Sequence, residues 1–159
     1  YELQNIKSGA ARTINQHFGF YRSYLAFGSG KAMQLHTHLR MGACSGSVFG
    51  NPCFNIGGAT TIRGVRRDAL KGDVFVLSNI QLLIPMADAQ HIRGVVFLDT
   101  GAVADSMSSA KLSRSAIGAG VGLVWKLKRF VKTDVRAELA HGLGTNGGNR
   151  VYAATSMLF

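Results

Sequence analysis

The sequence predicts an all-β chain, and within that class the wall of a transmembrane antiparallel β-barrel. Three observations carry the prediction. The strand beginning at Val131 places Val131, Thr133, Val135, Ala137 and Leu139 on one face and Lys132, Asp134, Arg136 and Glu138 on the other, a period of two with every charge on one side. Connections alternate in length: 86–90 and 126–129 are short, whereas 42–72, 104–112 and 142–149 are long, which is the habit of outer-membrane barrels. The composition has 16% charged and 47% hydrophobic residues, with 20 glycines and 2 prolines. That balance suits strands with one apolar face to cover.

At 159 residues the chain is one domain or part of one, and because Tyr1 is not an initiator a fragment or processed chain is expected. The formal charge of +10 raises nucleic acid as a partner, but the basic residues are dispersed rather than gathered on one face with aromatics between them, so nucleic acid is not expected. No apolar run reaches the roughly 18 residues of a transmembrane helix, and no signal peptide opens the chain; neither point bears on strands. Cys44 and Cys53 fall in one loop. We read them as free thiols, with a disulfide the alternative in an oxidising compartment; their spacing matches no zinc motif.

In order, residues 1–10 are weakly patterned and read as a strand whose beginning is missing, and 17–27 form an aromatic-rich strand before the turn Gly28-Ser29-Gly30. From Lys31 alternation sharpens: Met33, Leu35, Thr37, Leu39 and Met41 oppose Gln34, His36, His38 and Arg40. His36 and His38 share a face, but no Cys, Asp or Glu joins them in the strand, so they read as polar lining of a wet interior rather than metal ligands. The stretch 42–72 is too long for a hairpin and is expected to be functional. Val74, Val76, Ser78, Ile80, Leu82 and Ile84 then oppose Phe75, Leu77, Asn79, Gln81 and Leu83, and Pro85 ends the strand. Ile92, Gly94, Val96 and Leu98 oppose Arg93, Val95, Phe97 and Asp99. In the strand 115–127, Gly118, Gly120 and Gly122 share one face and leave room for a bulky neighbour. A phosphate-binding glycine loop is excluded there because these glycines lie inside a strand, not between a strand and a helix. The last strand spans 150–159. Val74, Val76, Ile80, Val96, Leu98, Val121, Leu123, Val135 and Leu139 are expected to face lipid.

Gly57-Gly58, then Ile62-Arg63-Gly64-Val65, then Asn79-x-Gln81-x-x-x-Pro85, then Phe97-x-Asp99-x-Gly101 resemble the C-terminal barrel half of the outer-membrane insertase and translocase superfamily. That family includes bacterial BamA, the two-partner-secretion transporters, the chloroplast import channel and the mitochondrial sorting-and-assembly barrel. The resemblance covers Phe54 to Phe159. It implies that residues 1–159 are the second half of a sixteen-stranded barrel, here about seven or eight strands, with loop 42–72 folded inward and Phe159 in the closing strand. It places Gly57, Gly58, Ile62, Arg63 and Gly64 in the lumen and implies a pair between Arg63 and Asp99. Asn79, Gln81, Phe97 and Gly101 line the lumen beside that pair, and Arg150, Tyr152 and Phe159 belong to the strand closing a lateral gate. The chain departs from the family where Val65 replaces an aromatic and where Asn79, Gln81 and Leu83 replace an Asn-x-Glu-x-Arg pattern. We therefore expect the Arg63–Asp99 pair and no wider charge network.

The implied function is insertion of barrel proteins through a lateral gate. Its implied partners are the lipid bilayer, unfolded β-barrel precursors and accessory subunits of an assembly or translocation complex. No catalytic constellation is seen, so we expect no enzyme activity and no cofactor. The alternatives are a polypeptide translocation pore of the same superfamily, a passive eight-stranded pore or structural barrel, and a soluble β-sandwich, which detergent dependence would separate from both barrels. Basic charge, two cysteines and sparse aromatics point to the mitochondrial outer membrane, with the bacterial outer membrane or plastid outer envelope as alternatives. The first barrel half and the substrate-receiving POTRA domains are expected to lie outside these residues.

Overall fold

The computed structural model describes residues 2–8, 12–29, 33–45, 51–86, 91–106, 114–127, 133–144 and 146–157. Ten strands follow in chain order: β1 (Glu2–Ser8), β2 (Arg12–Phe27), β3 (Met33–Ser45), β4 (Phe54–Ile56), β5 (Leu70–Gly72), β6 (Val74–Pro85), β7 (Ile92–Ala104), β8 (Arg114–Leu127), β9 (Thr133–Leu143) and β10 (Asn149–Met157). Eight form one sheet in the order β1-β2-β3-β6-β7-β8-β9-β10, and β4 and β5 form a separate pair. All neighbours in the large sheet run antiparallel. The order is sequential except where the chain leaves the sheet between β3 and β6 to build the long loop.

Alternation in sequence becomes two unlike faces. Val76, Ile80, Val96, Leu98, Val121, Leu123 and Leu139 are exposed, and Val74 and Val135 partly so. The intervening Leu77, Val95, Phe97 and Val124 are buried. Apolar side chains standing in the open along successive strands are unfavourable in water and favourable in hydrocarbon. The outward band is the lipid face, as the sequence predicts. What is packed lies on the inner face: Ile56, Ile62, Val65, Leu70, Leu77 and Val103 form one cluster, and Leu83, Val95, Phe97, Val124 and Ala140 a second. Four of the six residues in the first cluster belong to the region between β3 and β6, so the loop is packed against the wall.

Several boundaries differ from the expected ones. β2 begins at Arg12 rather than His17, because Thr13 to Gln16 still pair in register with β1. β3 extends to Ser45 through Gly42 and Cys44, which continue its ladder. The loop carries its own hairpin, β4–β5. β9 runs to Leu143 and β10 starts at Asn149, so the connection 144–148 is no longer than the turns at the opposite end. Gly142, Gly147 and Gly148 are drawn into hydrogen bonds there instead of forming a free loop. Phe159, expected in the closing strand, lies outside the described residues, as do Val131 and Lys132.

Candidate functional site

The sheet register lays out a floor for the loop. Asn79, Asp99, Gly118 and Gly142 stand opposite one another in one row across β6, β7, β8 and β9. The adjoining row contains Gln81, Phe97, Gly120 and Ala140. Facing on a strand repeats every second residue, so all of these point to the inner side. Glycine at Gly118 is required: a Cβ there would overlap the Arg63 carbonyl. One at Gly120 would meet the Phe97 ring. Gly118 of β8 and its row neighbour Gly142 of β9, whose Cβ would overlap the Gly64 carbonyl, are thus the surface onto which the loop backbone lies.

The loop reaches this floor by a sharp reversal. Gly57, Gly58 and Gly64 have φ of 128°, 96° and 85°, conformations costly for residues with a Cβ. The Thr61 hydroxyl accepts the Gly57 N–H at 2.8 Å, and Gly58 N–H donates to the Ile62 carbonyl at 3.2 Å. This turn presents Ile62 to the first apolar cluster, where it is fully buried. A Cβ on Gly101 would stand 2.7 Å from Ile62 Cδ1, so the absent side chain at Gly101 makes the socket for Ile62.

Arg63 is held from several sides. Its Nε donates to Asp99 Oδ2 at 2.7 Å and its Nη2 to Asp99 Oδ1 at 2.8 Å, a bidentate fork matched to a carboxylate. Its backbone N–H also donates to Asp99 Oδ2 at 3.0 Å. Nη1 donates to Glu138 Oε1 and Oε2 at 3.1 and 3.0 Å. The guanidinium carbon stands 3.5 Å over the Phe97 ring, so an aromatic face closes the remaining side. Side-chain exposure is 7% for Arg63, 0% for Asp99 and 8% for Glu138. Burial opposes the charged guanidinium, but hydrogen bonding and charge from Asp99, then Glu138, outweigh it and raise its pKa. One guanidinium meets two carboxylates; Arg136, 3.8 Å from Glu138, supplies a second cation.

Asn79, Arg40 and backbone groups complete the seat. Asn79 Nδ2 donates to Asp99 Oδ1 at 2.8 Å and to the Thr61 carbonyl at 2.7 Å. Arg40 Nη2 donates to Asn79 Oδ1 and to the Thr60 carbonyl, both at 2.9 Å. Past the arginine, Gly64 N–H donates to the Tyr152 hydroxyl at 3.0 Å, Arg66 N–H to the Asn146 carbonyl at 2.8 Å, and Gly148 N–H to the Gly64 carbonyl at 3.1 Å. Six consecutive strands of the sheet, β3 and β6 through β10, therefore touch one short stretch of loop.

The comparisons with known proteins follow from this geometry. The model of the Omp85 superfamily domain matches residues 11–146. The chain belongs to the Omp85 superfamily. In structure it is similar to BamA from Haemophilus ducreyi lacking POTRA domains 1–3, with a TM-score of 0.69 at 15% identity, over 91% of this chain and 37% of that one. This Omp85 chain thus spans little more than a third of the BamA chain it matches. No curated protein sequence matches it. The fold is that of an outer-membrane β-barrel wall.

Two expectations about the Omp85 loop are corrected. The pair Arg63–Asp99 does not stand alone: Glu138 binds the same guanidinium, and Asn79 and Arg40 extend the network. The carboxylate that Gln81 does not supply from β6 comes from β9 instead; Gln81 itself accepts Arg136 Nη1 at 3.3 Å. Glu138 had a visible signal, since it sits on the charged face of its strand, but nothing in its local sequence connects it with a residue 75 positions away. Second, Cys44 and Cys53 are bonded to each other rather than free. The extension of β3 through Cys44 brings the two together, and Asp73 holds both: Cys53 N–H donates to its Oδ1 at 3.0 Å and Cys44 N–H to its carbonyl at 2.8 Å. Of the other expected residues, Tyr152 reaches the loop directly. Arg150 shares with Arg67, Thr60 and Tyr152 an open cavity of about 520 Å³ between loop and β10. His36 and His38 remain in the polar lining, with His38 Nε2 accepting from Arg22 Nε at 3.2 Å. Among the described residues no cluster of three metal-ligating side chains occurs.

Proposed function

We propose that this Omp85 chain is the closing half of a barrel that inserts β-barrel proteins into an outer membrane, acting without covalent chemistry. The observation that carries the reading is the seated loop: a desolvated arginine bridges β7 and β9, and the next residue, Gly64, is tied to Tyr152 of β10 at the edge of the sheet. A passive pore has no need to hold a long inward arm with buried charges, each of which costs several kcal/mol to desolvate. An unpaired strand edge, in turn, is a template for an incoming strand. The substrates are unfolded barrel precursors; the bilayer and accessory assembly subunits are the other partners.

The test is reconstitution of the protein in lipid vesicles and addition of an urea-unfolded barrel precursor. Precursor should become folded and protease-resistant, and Arg63→Ala should reduce that rate at least about tenfold, the equivalent of about 1.4 kcal/mol. Ion conductance without any insertion would favour a passive pore. The open cavity beside Arg67 and Arg150 supports polypeptide translocation as a second reading, in which precursor would cross into the vesicle rather than enter its membrane. On location, the Cys44–Cys53 bond supports the bacterial outer membrane over the mitochondrial one suggested by charge. A disulfide persists in an oxidising exterior, whereas a mitochondrial outer-membrane barrel has the reducing cytosol at one end.

A further inference from the structure

Glu138 and Tyr152 stand directly opposite each other in the register of β9 and β10. Between them they hold two adjacent residues of the loop. Glu138 takes the Arg63 guanidinium, and the Tyr152 hydroxyl takes the N–H of Gly64 at 3.0 Å. Gly64 is buried, and its carbonyl accepts from Gly148, in the connection leading into β10. Both backbone groups of Gly64 are therefore spent on the last hairpin, while Arg63 is spent on β7 and β9. Positive φ at Gly64, 85°, is what turns the chain so that neighbouring residues address different strands. Among the described residues, Tyr152 is the one side chain of β10 hydrogen-bonded to the loop, and its ring packs on the second apolar cluster.

We propose that Tyr152 is a positioning residue that couples loop seating to the hold on β10. While Arg63 sits on Asp99 and Glu138, the Gly64 N–H is presented to the tyrosine and β10 is tied inward. When the loop withdraws, that tie is lost and the strand loosens. The proposal rests on the reading of β10 as the strand at which a substrate is received, and adds the means by which that strand is controlled.

Tyr152→Phe keeps the ring and removes the acceptor. In the protein reconstituted in lipid, amide hydrogen exchange should rise roughly two- to tenfold, as for loss of one buried hydrogen bond, both in residues 62–66 and along β10, with β7 unchanged. Exchange that rises in the loop alone would overturn the coupling. So would an equal rise in β7, which would mark general destabilisation. Val151→Ala, on the outer face of β10, should leave the loop unchanged; if it loosens residues 62–66 as much as Tyr152→Phe does, Tyr152 is not the link. Precursor insertion is measured on the same samples. If β10 loosens and insertion stays at the parent rate, the coupling stands and the reading of β10 as the receiving strand fails.

Discussion

The long loop is held at its root and at its tip by different physics. At the root, Cys44 and Cys53 are joined covalently across 9 positions, Asp73 binds both backbones, and β4 pairs with β5. These contacts join segments at one end of the sheet and ask little of the barrel wall as a whole. At the tip, the Arg63 contacts reach residues 36 and 75 positions away and exist only if β7, β8 and β9 keep their register. The root fixes where the arm begins. The tip reports whether the wall beneath it is intact.

The largest test of this contrast removes the tip's anchor. Asp99→Ala leaves Arg63 buried without its bidentate partner and should cost about 3–5 kcal/mol. Tryptic cleavage after the exposed Arg66 or Arg67 should accelerate, while the Cys44–Cys53 bond still forms on a non-reducing gel. A double-mutant cycle with Arg63→Ala should show a coupling of about 0.5–3 kcal/mol; additive effects would mean the two do not act as a pair. Next in size, Cys53→Ser opens the root and should cost about 2–3 kcal/mol by the chain-entropy account of a short closed loop. The contrast predicts that the tip remains seated, so tryptic cleavage at Arg66 should stay close to the parent's. If it matches the Asp99→Ala rate, root and tip are one unit.

Gly118→Ala probes the floor. Its Cβ meets the Arg63 carbonyl, and the displacement should cost about 1–3 kcal/mol, the range for overpacking, measured as a lower midpoint of unfolding in detergent. Gly148→Ala, where a Cβ would meet nothing within 4 Å, is its control. The smallest effect is expected at Arg40→Gln, which loses bonds to Thr60 and Asn79 but leaves the Arg63–Asp99 fork intact. About 0.5–1.5 kcal/mol is expected. A loss as large as that of Asp99→Ala would make Arg40 an equal anchor of the tip.

What could be read in the sequence tracks how local the signal was. The strands β6 to β9 and their facing follow from period-two patterning, which a single segment carries by itself. Arg63 and Asp99 were found through ordered motifs. Glu138 was legible as a charge on the inner face but not as a partner, because register across three strands brings it to Arg63. The three-residue strands β4 and β5 are too short to show alternation. The start of β2 was missed because Thr13 to Gln16 hold a single apolar residue, Ile14, too little to show alternation, and pairing with β1 makes them a strand. The disulfide was read the wrong way, as free thiols, since spacing says nothing of whether two loop cysteines are brought together.

The glycine floor has a consequence for how such a chain tolerates change over generations. On the lipid side, Val96, Leu98, Val121 and Leu139 need only be apolar, and Val, Ile and Leu are near-synonyms there. On the inner side, Gly118 is set by a backbone carbonyl at overlap distance, Gly64 by its dihedral, and Arg63, Asp99 and Asn79 by the number and direction of their bonds. None of these has a synonym. One strand therefore writes in two alphabets that alternate residue by residue, a loose one on its outward positions and a one-letter one on its inward positions. Natural variants of β7 and β8 should drift freely in the first and stay silent in the second.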